Sequence, residues 1–501
     1  MKRQIQKIVV ILVLLVPVAS FAQDQVDGLR YSQNIVGGTA RFMAMGGAFS
    51  ALGGDMSALA YNPAGIGVYK KSQFTFTPGF SMQTNNSTYN GTSTRDQQSM
   101  LNIQNIGLIG TWKNRRDEAM WKNISFGVVY NQTNNFNENI TIQGNNSKNS
   151  LTDEFAANAN GRNDSSQDVF STQQAYNAGL INTVNGSNGL AYFSIMDPFL
   201  TNGKSILQQD IIARTGSMGE TDISLGGNYN NKLYLGISLG IADIYFNENA
   251  TYTETPQYTD TAYGLQQFSY ATTVNTTGSG VNVKIGAIYK ITDWLRIGAA
   301  MHTPTWFSLT DNYSSLITAT YGDVTNGQYN QGTYAGTVDG SPARGNYNYN
   351  ITTPMRAMGG VAFVIHHQAI ISADYEWVDY STIQFSSDPT NQFSNVNQAI
   401  QQSYMQASNL RVGAELLLYP FSIRAGYAYY GNPYNSSAGN SSIKNSYSVG
   451  FGLKFNHCFL DLAYVLTQYT ENYYMYDASL ANAAQNKTTV SNAAITFGVN
   501  F

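Results

Sequence analysis

Residues 233–241 read Leu-Tyr-Leu-Gly-Ile-Ser-Leu-Gly-Ile, and this strict alternation indicates the fold of the chain. Side chains of a β-strand point to opposite faces in turn, so the Leu and Ile residues share one face and Tyr, Gly and Ser share the other. A soluble sheet alternates too, but its exposed face normally carries Lys and Glu rather than Gly and Ser. The stretch therefore predicts a strand whose apolar face meets lipid.

The same alternation recurs along the chain. The candidate strands lie near residues 72–82, 101–112, 122–133, 222–230, 232–246, 280–290, 294–309, 355–365, 369–385, 408–418, 421–431, 444–455, 458–470 and 488–501. Tight turns such as Asn231 alternate with long loops, including 83–100 and the two longest, 134–221 and 310–354. This asymmetry is typical of outer-membrane barrels, and an even strand count places both chain ends on the periplasmic side. We therefore predict an all-β fold, a transmembrane antiparallel β-barrel of about 14 strands over residues 72–501.

The composition excludes several other classes of protein. Only 12% of the 501 residues are charged, about half the usual share for a soluble domain. An aromatic content of 13% argues against disorder, the lone Cys458 against a disulfide scaffold, and the net charge of -4 against a nucleic-acid binder. After residue 22 no apolar run approaches the roughly 20 residues that a spanning helix needs. The bacterial outer membrane is the expected location.

The first 22 residues are predicted to be a signal peptide. Lys2, Arg3 and Lys7 form a basic n-region, and a short apolar core follows. Ser20 and Ala22 then supply the small residues of a signal-peptidase cleavage site. The apolar run is too short for a membrane anchor, so we expect export and removal of this segment.

Residues 23–71 do not alternate like the strands that follow. Paired glycines interrupt any long helix, and the apolar content is too high for a segment in water. A barrel this wide needs a plug, so we predict that this segment is a small N-terminal hatch inside the lumen. Asn62-Pro63 is predicted to form a turn capped by the Asn side chain. The candidate hatch and ligand-contacting residues are Phe42, Met43, Met45, Phe49, Leu59, Asn62, Pro63 and Ala64. Packing of the hatch alone is the favoured interpretation of its Met and Phe residues.

The strand period places six charged side chains on the lumen side of the wall. They are Asp374, Glu376, Arg411, Glu415, Arg424 and Lys454. Arg411 or Arg424 could bind the carboxylate of a cargo molecule. Buried charges are usually paired, so we favour ion pairs that brace the hatch against the wall.

Catalysis, metal binding and cofactors are not predicted. A barrel hydrolase needs a Ser nucleophile with a His base and an orienting amide. Three of the four His residues, His366, His367 and His457, fall at predicted periplasmic turns. The adjacent pair His366 and His367 is a weak basis for metal or haem binding, because neighbouring strand residues face opposite ways.

Four stretches together resemble one known family. The first runs from Ala40 to Gly65 and ends in Asn62-Pro63-Ala64; the others are 295–305, 371–380, and 410–415 with 423–429. In this order, and with this number of strands, they resemble the FadL/TodX family of outer-membrane transport proteins. The likeness spans most of the chain after the signal peptide.

The resemblance implies a monomeric barrel whose hatch blocks the lumen and which carries hydrophobic compounds inward. Long-chain fatty acids or aromatic hydrocarbons are the cargo in this family, and the cargo leaves sideways through a gap at an inward kink in strand three. The terminal Phe501 resembles the signal that the barrel-assembly machinery recognises. The implied partners are therefore a hydrophobic small molecule, outer-membrane lipid and that machinery.

Three other functions stay open at this stage. A barrel of this kind could serve a protein secretion or surface-assembly system, because fold alone does not settle function. Haem uptake rests only on the weak His pair. A general water-filled porin would not need a Met- and Phe-rich plug ahead of its first strand.

Overall fold

The structure is a computed structural model that describes residues 24–116, 118–163, 166–184, 190–201, 203–257, 264–322, 330–366, 368–387 and 393–501. The predicted signal peptide, residues 1–22, lies outside this range. The wall consists of fourteen antiparallel strands, of which β3, β7 and β8 are each interrupted once. In chain order the strands are β1 (Gln73–Tyr89), β2 (Thr92–Lys113), β3 (Trp121–Asn135 and Glu138–Asn146), β4 (Ile206–Tyr229), β5 (Leu233–Pro256), β6 (Leu265–Lys290), β7 (Leu295–His302 and Trp306–Tyr321), β8 (Ala343–Thr352 and Arg356–Ile365), β9 (Ala369–Asp379), β10 (Gln406–Leu418), β11 (Phe421–Tyr430), β12 (Lys444–Lys454), β13 (Cys458–Tyr473) and β14 (Ala484–Asn500).

The first and last strands close the barrel. β1 pairs with β14 from Gln73↔Asn500 to Thr88↔Gln485, so no sheet edge faces lipid at the seam. Along β5 the side chains of Leu235, Ile237, Leu239 and Ile241 are 39–49% exposed, whereas Ser238 is buried on the inner face. The predicted direction of the alternation is therefore confirmed, and with it the closed transmembrane barrel.

The predicted long loop at 83–100 is wrong. β1 and β2 continue through it and are joined by a two-residue turn, in which Asn90 and Gly91 have φ values of 46° and 84°. Two consecutive positive φ angles are typical of a type I′ hairpin turn. The sequence reading missed the strands because Thr, Asn and Gln replace the apolar residues there, so the hydrophobic alternation fades.

The loops predicted at 134–221 and 310–354 are shorter in the structure, for the same reason. β4 begins at Ile206, and β7 and β8 extend through much of the second range. Between β3 and β4 the described residues form three helices, α1 (Leu151–Ala159), α2 (Thr172–Asn177) and α3 (Asp197–Thr201), and a small hairpin of Ile181–Thr183 with Tyr192–Ser194. Phe155, Leu180 and Phe199 from this region pack with the wall residues Tyr252 and Phe268, so the region is a folded cap.

No helix among the described residues is long and apolar enough to cross a membrane.

The described part of residues 23–71 lies inside the barrel. Here it forms two short helices, which we number separately as αA (Gln25–Ser32) and αB (Ala40–Ala44), and 3₁₀ turns at Ser57–Ala60 and Pro63–Val68. We call residues 24–38 the arm and residues 39–68 the plug. As expected, Asn62 caps the last turn, because its side chain accepts a hydrogen bond from the Ala64 N–H at 3.0 Å and Pro63 begins the turn.

Candidate functional site

The wall is interrupted between β2 and β3. These strands pair only from Asn105↔Asn131 to Lys113↔Asn123. Above this level β2 keeps its ladder with β1 and the second segment of β3 keeps its ladder with β4, but these described segments do not pair with each other. A register shift between Gln132 and Asn134 marks a β-bulge at the point where β3 leaves its neighbour.

Beyond the bulge, β3 bends into the lumen. Asn85, on the inner face of β1, donates from its side chain to the Asn139 carbonyl at 2.8 Å. Asp96 of β2 accepts hydrogen bonds from the backbone N–H and the hydroxyl of Thr141, at 2.7 and 3.0 Å. Side chains of β1 and β2 thus replace the missing ladder, as the cost of unpaired backbone groups in a membrane requires.

Where its ladder with β2 ends, the bent strand forms hydrogen bonds with the backbone of the arm. The Ile35 N–H donates to the Thr133 carbonyl at 2.9 Å, and the Asn134 side chain donates to the Gln33 carbonyl at 3.3 Å. Residues of the arm therefore occupy the inner side of the gap in the wall.

A cavity of about 170 Å³ lies beside this interruption. Its apolar lining comes mainly from the arm, and its polar lining comes from both the arm and the wall strands. The apolar residues are Val26, Leu29, Ile35, Val36, Phe136, Phe246 and Val490; the charged ones are Arg30, Glu138, Arg214, Lys444 and Glu471. The cavity is amphipathic, with both a hydrophobic surface and a set of charges.

Most charged groups of this cavity are already paired. Arg214 bonds to Glu138 at 2.7 Å and to Glu248 at 2.5 Å. Arg30 pairs with Asp27 on the same helix. Lys444 differs: its ammonium donates to the amide oxygen of Gln33 at 2.9 Å and lies 4.7 Å from the centre of the Tyr469 ring. Neither contact is with a carboxylate, but the Glu471 and Glu138 carboxylates of the same cavity also interact electrostatically with the ammonium, so Lys444 is distinguished only by having no hydrogen bond to a carboxylate.

The plug separates this cavity from a second one at the periplasmic mouth. The lower cavity measures about 810 Å³ and is lined by Thr39, Arg41 and Asp55 of the plug together with the periplasmic ends of the strands. Gly37 lines the upper cavity and Thr39 lines the lower one, so Gly38 lies between the two cavities. Gly38 has a φ of 123°, and the Ser57 side chain packs against its Cα. Residues 38–57 thus lie between the two cavities.

Glycines on the inner face of the wall let the plug approach the strand backbones. A Cβ at Gly298 would lie 2.0 Å from the Ser50 carbonyl oxygen, and one at Gly236 would lie 2.3 Å from the Pro63 carbonyl oxygen. Any side chain there would displace the plug. We call these positions the glycine girdle; it comprises Gly107, Gly127, Gly226, Gly236, Gly286, Gly298, Gly360, Gly413, Gly426 and Gly450.

Two buried ion-pair groups join the plug and the wall on the side of β8 to β13. In the first, the plug residue Arg41 bonds to Glu415 at 2.6 Å, and Arg424 bonds to both Glu415 and Asp461 at 2.6 Å. The second contains Arg356, Glu376 and Arg411 of the wall, with the guanidinium of Arg411 4.8 Å from the centre of the Tyr61 ring. These contacts hold the plug against the barrel wall.

Of the six predicted lumen charges, five belong to the ion-pair groups or contact the plug, and Lys454 does neither. Asp374 accepts a hydrogen bond from the Ser50 N–H at 2.8 Å, so it also contacts the plug. Lys454 is exposed at the end of β12 and lines the periplasmic cavity, outside both ion-pair groups. The ligand-binding role considered for Arg411 and Arg424 stays an untested hypothesis, since their described contacts are with carboxylates and rings of the protein itself.

The predicted hatch residues lie in the interior of the plug. Phe42 stacks near Phe49 and Tyr61, with ring centres 5.2 and 5.1 Å apart. Met43, Met45 and Leu59 are buried as well. None of the eight predicted residues is among the described residues lining the upper cavity. The packing interpretation agrees with this placement, and a direct role in ligand binding stays a prediction.

Sequence reasoning missed the residues that line the upper cavity. Arg30 and Lys444 were not selected, although the short amphipathic run 25–32 is a usable signal for a helix. Lys444 lies ten residues before Lys454 on the same strand, so the two-residue period could have placed its side chain on the lumen side as well. Of the His pair, His366 lies in the turn with φ of 48°, and His367 lies outside the described residues. The described residues contain no cluster of His, Cys, Asp and Glu suited to a metal ion.

Comparisons with known proteins agree with this architecture. The profile of the outer membrane protein transport protein family (OMPP1/FadL/TodX) matches residues 18–501. A comparison with curated protein sequences finds no significant match.

Solved structures of similar fold include three barrels. The Pseudomonas aeruginosa FadL homologue is 12% identical, with a TM-score of 0.55 over 94% of this chain and 99% of that one. The Pseudomonas putida toluene transporter TodX is 13% identical, with a TM-score of 0.52 over 94% and 100%. The Ralstonia pickettii toluene transporter TbuX is 14% identical, with a TM-score of 0.50 over 94% and 100%. At these identities the likeness establishes the fold alone.

Proposed function

The chain belongs to the FadL/TodX family of outer-membrane transport proteins, and on this premise we propose that it takes up amphipathic hydrophobic molecules, such as fatty acids, through the upper cavity. The observation that carries the proposal is the position of that cavity. It lies directly beside the interruption between β2 and β3, on the opposite side of the plug from the periplasmic cavity. A molecule in the cavity is therefore nearer to a gap in the wall than to the periplasmic mouth.

The composition of the cavity favours a molecule with an apolar body and an anionic end. Burial of each CH₂ group contributes about 0.8 kcal/mol, so the arm and Phe136 would supply most of the affinity. The Lys444 ammonium would exchange its amide partner for a carboxylate. A hydrogen bond to a charged group contributes roughly 1.5–3 kcal/mol, which is enough to favour a fatty acid over a hydrocarbon of equal length.

The upper cavity must enlarge before it can hold a long-chain molecule. Its volume of about 170 Å³ is below the roughly 300–1,000 Å³ of ordinary ligand pockets. The plug is wedged by the glycine girdle. The helix of the arm is also buried, through Leu29 and Tyr31, but the part of the arm that follows it is attached near the gap by hydrogen bonds at Gln33 and Ile35. We propose that the arm shifts when cargo enters, and that cargo leaves sideways between residues 97–104 of β2 and the bent part of β3.

Ligand titration of the purified barrel, followed by native mass spectrometry, tests this function. We expect saturable binding of a long-chain fatty acid. Lys444→Met should weaken fatty-acid binding at least tenfold and leave toluene binding unchanged. Lys487→Met is the matched control, because Lys487 is exposed on the outer face of β14.

The experiment tests the transport function and the role of Lys444 separately. Without saturable binding of either probe to the wild-type barrel, the transport function would lose its support and the secretion or assembly alternative would gain. Equal loss of fatty-acid binding in both Lys variants would contradict the role of Lys444 alone.

A further inference from the structure

Three residues of the arm separate the upper cavity from a smaller one. Gln33 and Ile35 line the upper cavity, whereas Asn34, between them in the chain, lines a second cavity of about 40 Å³. We call residues 33–35 the strap. The second cavity is polar, and the wall residues that line it include Glu220, Asn282, Lys284 and His302. Displacement of the strap would therefore join the two cavities and enlarge the space for cargo.

The strap is less buried than the residues at either end of it. Its three residues are partly exposed, whereas Ser32 and Val36 are only 3% and 5% exposed. Tyr31, next to Ser32, packs in the apolar core around helix αA, and Val36 packs in the core of the plug with Phe42. The strap thus connects two well-packed regions without belonging to either.

Three hydrogen bonds of the strap are made to groups that line the upper cavity. The Ile35 N–H donates to the Thr133 carbonyl at 2.9 Å, and the Gln33 carbonyl accepts from the Asn134 side chain at 3.3 Å. The amide oxygen of Gln33 accepts from Lys444 at 2.9 Å. Because these partners face the cavity, a ligand or water there can replace the strap, and exchanging one hydrogen bond for another changes the free energy little.

Helix αA, which precedes the strap, is fixed more firmly. At its beginning the Tyr404 hydroxyl donates to the Gln25 carbonyl at 2.9 Å. In its middle a Cβ at Gly28 would lie only 2.9 Å from the Phe385 ring, so the helix backbone lies directly against that side chain. Leu29 is buried in the same apolar core as Phe385. Movement of the helix would separate these apolar surfaces, which is unfavourable.

Arg356 of β8 fixes the end of this helix. Its guanidinium donates to the Ser32 carbonyl and to the Glu376 carboxylate. Ser32 is the last residue of αA, where carbonyls lack partners within the helix and a cation is favourable. Glu376 is itself held by Arg411 and by the Asn409 amide, the latter at 3.3 Å. The wall therefore orients Arg356, and Arg356 ties helix αA to the wall just before the strap begins.

We propose that the strap is the part of the arm that moves when cargo enters, and that Arg356 is the positioning residue that keeps helix αA in place during this movement. The inference rests on the proposed uptake through the upper cavity. Displacement of the strap joins the two cavities and separates Gln33 from Lys444, so the ammonium becomes free for the anionic end of the cargo. The helix keeps Leu29 in place as a fixed apolar surface of the cavity.

Hydrogen exchange of the wild-type barrel with and without palmitate tests the strap. Native mass spectrometry of the same sample measures whether palmitate binds. With the site saturated, the Ile35 amide should exchange about tenfold faster, because displacement removes its Thr133 acceptor. Exchange in helix αA should stay the same.

The outcomes of this experiment distinguish the strap from the transport function. Equal acceleration in the strap and in helix αA would show that the arm moves as a unit, which would overturn the proposal. Saturable binding of palmitate without a change in the strap would also overturn it. Absence of saturable binding would instead remove the proposed uptake, on which the role of the strap depends.

Arg356→Met tests the positioning role. Without the contact to the Ser32 carbonyl, palmitate should accelerate exchange in residues 29–32 as well as in the strap. Arg356→Lys, whose ammonium can still donate to that carbonyl, should restore the wild-type pattern. Arg344→Met is the matched control, because Arg344 is an exposed residue of the same strand.

A merely structural role of Arg356 predicts a different pattern. Exchange would then be faster in β8 and β9 even without palmitate, and the response to palmitate would not change. That result, or a wild-type pattern in Arg356→Met, would show that Arg356 has no part in positioning the arm. The wild-type measurement of the strap does not depend on whether this variant folds.

Discussion

The plug meets two walls of different chemistry. On β8 to β13, which we call the braced wall, the ladders from Arg356 onward are continuous, and Arg–carboxylate pairs such as Arg41–Glu415 join plug and barrel. On β1 to β3, the interrupted wall, the ladder stops at Asn105↔Asn131 and the contacts are between neutral groups, such as Ser57 with Asn131 at 2.8 Å.

The difference indicates which side of the plug can be released. A buried ion that loses its partner is strongly destabilised, whereas a neutral hydrogen bond is replaced by water at a cost of only about 0.5–1.5 kcal/mol. The braced wall should therefore hold the plug while the interrupted wall opens. This is the division of roles expected of a barrel that must admit a molecule without losing its plug.

The largest effect is expected at the centre of the braced wall. Glu415→Ala removes the buried carboxylate that Arg41 and Arg424 share; because Arg424 keeps its pair with Asp461, the free energy of unfolding should fall by roughly 3 kcal/mol. Urea unfolding in lipid vesicles measures this change. Glu415→Gln, which keeps the shape, should lie between wild type and Ala. A loss under about 1 kcal/mol, as for a surface ion pair, would remove the distinction between the two walls.

A second, smaller effect is expected in the glycine girdle. Gly298→Ala forces a Cβ against the Ser50 carbonyl, and overpacking of this kind costs roughly 1–3 kcal/mol. A Cβ at Gly359, on the neighbouring strand, meets no atom within 4 Å, so Gly359→Ala is the matched control. Ion conductance in planar bilayers should rise only for Gly298→Ala, because a displaced plug leaks. Equal conductance in the two variants would mean that the plug is not wedged there.

Loss of a plug contact on the interrupted wall should destabilise the barrel less than loss of one on the braced wall. Asn131 accepts hydrogen bonds from Ser57 and Asn105, both at 2.8 Å. Asn131→Ala should lower the free energy of unfolding by about 1 kcal/mol, while channel openings become more frequent. Unfolding and conductance can be measured on the same preparation. A stability loss as large as that of Glu415→Ala would contradict the comparison.

The smallest expected effect is a difference in hydrogen exchange within the wild-type barrel. Alternate amides along residues 97–104 of β2 lack a ladder partner on the side of β3, whereas residues 409–416 of β10 are paired on both sides. Hydrogen exchange should be faster in the first segment, because unpaired backbone groups have little local stability. Equal protection of both segments would indicate that the gap in the wall is closed in solution.

The limits of the sequence are clearest at the ends of the strands. Alternation such as that of 233–241 identified the strands inside the membrane, where lipid selects apolar outward residues. Above the membrane, β1 and β2 run on through Thr, Asn and Gln residues that water tolerates on either face, so hydrophobic alternation does not identify 83–100 as strand. The interruption between β2 and β3 carries no proline or other local signal, and only the failure of two distant segments to pair defines it.

The sequence by itself determined that the chain forms a plugged outer-membrane barrel, that Leu235 and Ile237 face outward, and that Glu415 and Arg424 face the lumen. These properties depend on the two-residue period of a strand and on its solvent, and both are local. Only the tertiary structure decided that Glu415 would meet Arg41, 374 residues away, and that Gly298 would lie against Ser50. Such partners are set by closure of the barrel around the plug, which brings together residues that no local pattern relates.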